Sequence, residues 1–93
     1  MNKFSYLWIF LLTCCYFQVN PSQVTAFHPR KELSRVKQIA TYLIWKSGAT
    51  HREAGDVVGI SLVTARNHCD LIRWEVERNT ELSKDITNLS KLF

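Results

Sequence analysis

Ninety-three residues leave room for a single domain with a modest core, and 46% apolar content is ordinary for a globular chain. Three glycines and two prolines are too few for a fold of many short strands, so composition points to an all-α domain. A net charge of +4 admits a polyanionic partner, beside the plainer reading that the charge keeps a small domain in solution.

The charge is unevenly placed. From His28 to His68 there are seven Lys/Arg against three Asp/Glu; from Cys69 onward there are four against five. One basic surface in the middle of the chain is expected from this. The three cysteines, Cys14, Cys15 and Cys69, make no metal-ligand spacing and are odd in number. They read as reduced, mostly buried small apolar residues.

Met1 to Ala26 has two readings. Lys3, the apolar run Phe4 to Phe17 and the small-residue site Val24-Thr25-Ala26 together describe a signal peptide. The run is short for a membrane-spanning helix. The competing reading is a first helix with Tyr6, Leu7, Phe10, Leu11, Cys14 and Phe17 on its inner face and Trp8, Leu12 and Cys15 opposite. Gln18 to Pro29 then reads as a loop with room for one short helical turn at Ser22 to Ala26. Leu33, Val36, Ile39, Ala40, Leu43 and Ile44 predict an amphipathic helix over Lys31 to Lys46, closed at Gly48 by a left-handed cap.

Thr50-His51-Arg52-Glu53 has the form of a capping box and opens a short helix ending near Val58. Gly59 turns the chain, and Ser61 caps the next helix, Leu62 to about Arg78, with Ala65, Cys69, Ile72 and Val76 inward. A last helix, about Glu81 to Lys91, buries Leu82, Ile86 and Leu89. Five helices are thus expected over one domain, 1–93.

Residues 50–78 are the informative stretch. Two helices joined by a short turn containing glycine make the helix-turn-helix pattern. Small Ala54 and Gly55 let the helices approach, and Val58, Ile60 and Ala65 fill the wedge between them. The second helix would enter the major groove by its N-terminal end, presenting Leu62, Val63, Thr64, Arg66 and Asn67 to base edges. Arg30, Lys31, Arg35, Lys37, Arg52 and Ser61 would hold phosphates and set orientation. No Ser/His/Asp constellation and no glycine-rich phosphate loop occurs, and His28, His51 and His68 are not spaced as metal ligands. A non-enzymatic protein without catalytic residues, metal, cofactor or small-molecule substrate is expected, its partner double-stranded DNA.

The run Arg30-Lys31-Glu32, Arg35, Gln38-Ile39-Ala40 and Tyr42-Leu43 resembles the basic loop and long helix of the C-terminal DNA-binding domain of the bacterial replication initiator DnaA. Tyr16-Phe17 and Val19 resemble the end of that domain's first helix, and Asp85-Ile86 and Asn88-Leu89 its closing helix. The resemblance implies a five-helix fold, a place in bacterial or phage cytoplasm, and Arg30, Lys31 and Arg35 in a loop reaching phosphate and the minor groove. It implies a protein partner in replication or transcription as well. The family's Gly-Arg-Asp-His-Thr-Thr-Val signature is replaced by Gly59-Ile60-Ser61-Leu62-Val63-Thr64-Ala65, so the base-reading Asp-His pair is missing and a lost or changed site preference follows. Gly59-Ile60-Ser61, Thr64 and Asn67-His68 also resemble the recognition helix of LuxR-type transcription regulators. Two other classes stand beside DNA binding: an exported or membrane-anchored helical protein, and a protein-interaction module on the same fold.

Overall fold

The computed structural model describes residues 3–25 and 31–92, and the side chains of 3, 4, 25 and 32 are outside what is described. Six helices follow one another: α1 Lys3–Tyr16, α2 Pro21–Thr25, α3 Lys31–Lys46, α4 His51–Val58, α5 Leu62–Val76 and α6 Thr80–Ser90. No strand occurs among the described residues. Five of the helices are those expected. The sixth, α2, is the helical turn of the loop, opened by Asn20, whose side-chain oxygen accepts from the Ser22 N–H at 2.9 Å.

α3 lies at the centre, packed against α1, α2, α4, α5 and α6. The reason is in its composition: Leu33, Val36, Ile39, Ala40, Tyr42, Leu43 and Ile44 are all buried, which is more than one helix face. Thr41 is buried too, and its hydroxyl donates to the Lys37 carbonyl at 2.7 Å, so burial leaves no orphaned donor. The radius of gyration is 11.8 Å, close to the value of about 12 Å for a chain this long.

α1 belongs to the core, through Tyr6, Ile9, Phe10, Thr13 and Cys14. This corrects the expected face. Leu7 and Leu11 are exposed, and Ile9 and Thr13 take their place. A helix apolar all round offers no polar shoulder to set its rotation, and Thr13 can go inward because its hydroxyl donates to the Ile9 carbonyl at 2.7 Å. Cys15 is likewise exposed, while Cys14 and Cys69 are buried as expected. α1 ends at a left-handed Gln18 (φ 56°), with the Val19 N–H donating to the Cys14 carbonyl at 2.9 Å. Among the described residues no helix is long and apolar enough to cross a membrane.

The turn between α3 and α4 is closed by Gly48 (φ 115°) and by the Trp45 ring stacked on His51, centroids 5.3 Å apart. α5 is shorter than expected, ending at Val76. Asn79 then caps α6, its side chain accepting from the Leu82 N–H at 3.1 Å. Tyr16 ties α1 to α6 by donating to Asp85 at 2.8 Å.

Candidate nucleic-acid interface

The α4–turn–α5 unit is built by local chemistry. At Thr50 the capping box is complete: the Glu53 N–H donates to Thr50 Oγ1 at 3.1 Å, and the Thr50 N–H to Glu53 Oε1 at 3.0 Å. α4 ends at Gly59 in the left-handed region (φ 86°), with its N–H and that of Ile60 both donating to the Gly55 carbonyl. Gly55 is needed for a second reason. A Cβ there would lie 2.8 Å from the Ile60 carbonyl oxygen and 3.4 Å from Ala65 Cβ, so only glycine lets α4 sit this close to the turn. Val58 and Ala65 are fully buried in the wedge, with Ile60 packed beside them.

This frame presents the opening of α5. Leu62 and Val63 are 41% and 68% exposed, and Arg66 and Asn67 are exposed beside them. Val63 and Asn67 lie on the side opposite Ala65, Cys69 and Ile72, the face that packs inward, Arg66 lies on its flank, and Leu62 shares the inward stripe but is exposed at the helix end. Thr64 and Ser61 stand differently. Ser61 Oγ accepts from the Thr64 N–H at 3.2 Å and donates to Thr64 Oγ1 at 2.9 Å, so both hydroxyls are engaged in the cap.

The expected phosphate-holding residues do not form one cluster. Lys31 and Arg52 are exposed, on α3 and α4. Arg30 lies outside the described residues, as does His28. Lys37 is half-buried and close enough to the His68 ring to act on its protonation: burial first, and the Lys37 charge second, hold His68 below its ordinary pKa of 6.5. The His68 Nδ1 atom is buried without a hydrogen-bond partner. Arg35 is turned into an ion pair with Glu75 of α5, and its other terminal nitrogen reaches Gln38 at 3.4 Å. α3 and α5 run antiparallel, with the Cys69 thiol 3.8 Å from the Thr41 carbonyl and Arg35 beside Glu75. The start of α3 is therefore at the far end of α5, roughly 20 Å from Leu62 at 1.5 Å per residue.

Four residues that the sequence reading passed over share the outer side of α5. Asp70, Arg73, Trp74 and Glu77 line an open hollow, with Asp70 and Arg73 3.6 Å apart and the Arg78 guanidinium 4.2 Å over the Trp74 ring. Their spacing of three, four and seven residues marks one helix stripe and was legible; the two carboxylates on it were the missed signal. Among the described residues no three His, Cys, Asp or Glu side chains group as metal ligands would.

Over the described residues the chain is a small, compact, all-helical domain of six helices. No family model matches the chain, and no curated protein matches it.

Proposed function

We propose that this domain binds double-stranded DNA, with α4, the Gly59–Ser61 turn and α5 acting as a helix-turn-helix and the first turn of α5 entering the major groove. The observation that carries the reading is the set of exposed side chains at that first turn. Leu62, Val63, Arg66 and Asn67 project from a helix end held rigidly by two caps and the Gly55 contact. Arg66 suits guanine or a phosphate, Asn67 suits adenine, and Leu62 and Val63 suit thymine methyls. Lys31, with Arg30 just before it in sequence, would reach flanking phosphates about 20 Å away, a span the width of a duplex covers. The chain is then a diverged member of the DnaA C-terminal-domain type. It acts without catalysis in a bacterial or phage cytoplasm, and a partner in replication or transcription remains part of the proposal.

The test is fluorescence anisotropy on a random duplex and a DnaA-box duplex, at low and raised salt. Binding should fall steeply with salt. Arg66→Ala should weaken it by about tenfold or more, and Lys31→Ala should reduce the salt slope by about one. Preference for the box would mean that site reading survives without the Asp-His pair. No binding to either duplex at low salt would sink the proposal.

One observation favours a second reading, a protein-interaction module. Val63 and Trp74 (56% exposed) stand on the same outer side of α5 with Asp70 and Glu77, a mixed apolar and acidic surface. Under that reading Trp74→Ala abolishes partner capture and charge reversal at Lys31 does not.

A further inference from the structure

We propose that the outward face of α1 is a self-association surface, on which a second copy of this chain packs antiparallel with Trp8 of each copy over Cys15 of the other. The proposal goes beyond the DNA reading and does not depend on it. α1 is apolar on both sides. Its inner face fills the core, while Leu7 (43%), Trp8 (59%) and Leu11 (37%) stand exposed outward with Cys15. A helix apolar all round needs cover all round, and the core supplies it on one side only.

The charge distribution selects a second copy as that cover. Between Lys3 and Arg30 the sequence contains no Lys, Arg, Asp or Glu, whereas the whole chain carries +4. Two copies of a cationic protein repel across their charged surfaces and meet at least cost across a neutral one. Along α1 itself a charged partner would find nothing complementary beyond Lys3, and Asp85 of α6, at its C-terminal end, already accepts from Tyr16. A lipid surface is the poorer fit, because an interfacial helix opposes its apolar side with a cationic one, and in α1 that opposite side is the protein core.

The residue pattern gives the pairing. Trp8, Leu11 and Cys15 follow at intervals of three and four, the seam of a helix pair, with Leu7 and Leu12 on its shoulders. An antiparallel pair about a two-fold axis between Leu11 and Leu12 sets these two leucines against each other. It also sets the largest side chain of the seam, Trp8, against the smallest, Cys15, at both ends. Large against small is how facing layers interdigitate. α1 is about 21 Å long, so one exposed face of this single helix is a small interface beside the roughly 800 Å² per partner of a standard stable one. The dimer is accordingly weak and concentration-dependent. α1 packs on α2, α3, α4 and α6, so association through its outer face leaves the first turn of α5 uncovered in both copies.

Sedimentation equilibrium of the full chain under reducing conditions, over about a hundredfold range of concentration reaching the high micromolar, tests this. A monomer–dimer equilibrium is expected. Trp8→Glu and, as a second variant, Leu11→Lys should each weaken it by about tenfold or more, with melting curves that show both still folded. Val63→Glu, which alters an equally exposed side chain on α5, should leave it unchanged. Cys15→Trp adds apolar surface but fills the space Trp8 occupies, and should weaken association; a gain would point to unspecific stickiness and overturn the pairing. A chain that stays monomeric throughout, or that partitions onto neutral phospholipid vesicles instead of dimerising, would overturn the proposal.

Discussion

Three residues carry constraints that no neighbour can take over. Gly55 holds α4 against the turn, and a methyl group there meets the Ile60 carbonyl oxygen at 2.8 Å, backbone that has no room to yield. Gly55→Ala is expected to cost about 2–3 kcal/mol, read as a fall in the urea midpoint at unchanged slope. Gln18 poses the opposite case. It sits in the left-handed region at the end of α1, where a side chain is disfavoured. Gln18→Gly should stabilise by roughly 0.5–1 kcal/mol in the same assay, and a loss would mean that the side chain, not the backbone, decides this position. His68 sets a pH dependence. Burial and the Lys37 charge favour its neutral form in the folded state, so the unfolded chain takes up the proton first as pH falls. Its contribution to stability is full above 6.5 and is lost as pH drops from there through the lower folded-state value. The urea midpoint should fall between about pH 7 and 5, and His68→Leu should remove that component.

At the scale of the element, α5 is two helices in one. Its first two turns offer Leu62, Val63, Arg66 and Asn67, the side chains that the DNA-binding proposal sets in a groove. Its later turns place Asp70 and Glu77 outward, and both would meet phosphate with like charge. Under the DNA-binding proposal the N-terminal end of α5 enters the groove first, which keeps Glu77 farther from it than Asp70. Asp70 is about 12 Å along the helix from Leu62 and Glu77 about 22 Å. Asp70→Asn should tighten duplex binding about threefold at low salt and Glu77→Gln distinctly less; equal effects would mean the helix lies flat along the DNA. Arg35 belongs to this element's support. Its pairing with Glu75 is partly exposed and worth at most about 1 kcal/mol, so Arg35→Ala acts on the α3–α5 contact as well as on any phosphate. Lys31 is the cleaner probe of the basic segment.

For the molecule as a whole, the question left by the first 26 residues becomes one of packing. Tyr6, Ile9, Phe10, Thr13, Cys14 and Val24 are buried with less than 5% of their surface exposed. Each large apolar side chain among them contributes about 1.5–3 kcal/mol by leaving water, and a small domain holds only about 5–15 kcal/mol in total. Removal of residues 1–26, as export processing after Ala26 would bring about, should abolish the cooperative thermal transition and expose surface to a hydrophobic dye. A truncated chain that melts cooperatively would show that α1 is dispensable, and the signal-peptide reading would then lead.

Much of this protein is local chemistry written along the chain. The limits of α3 and α4, the Thr50–Glu53 box, the Gly59 turn and the Ser61 cap are each set by residues within four positions of one another, so the sequence alone determines them. The inward period of Ala65, Cys69 and Ile72 leaves Asn67 outward in the same way, whereas Leu62 falls on the inward stripe and its exposure was decided by how the helix end packs. Tertiary structure decided what local patterns leave degenerate. An all-apolar α1 has no polar edge to fix its rotation, so only packing against α3 and α4 could choose Ile9 and Thr13 over Leu7 and Leu11. Arg35 meets Glu75 forty positions away because α3 and α5 run antiparallel, a fact of chain topology that turns an expected phosphate ligand into a brace. The same topology sets the basic start of α3 at the far end of α5, because contacts distant in sequence are selected by the shared core and not by neighbours along the chain.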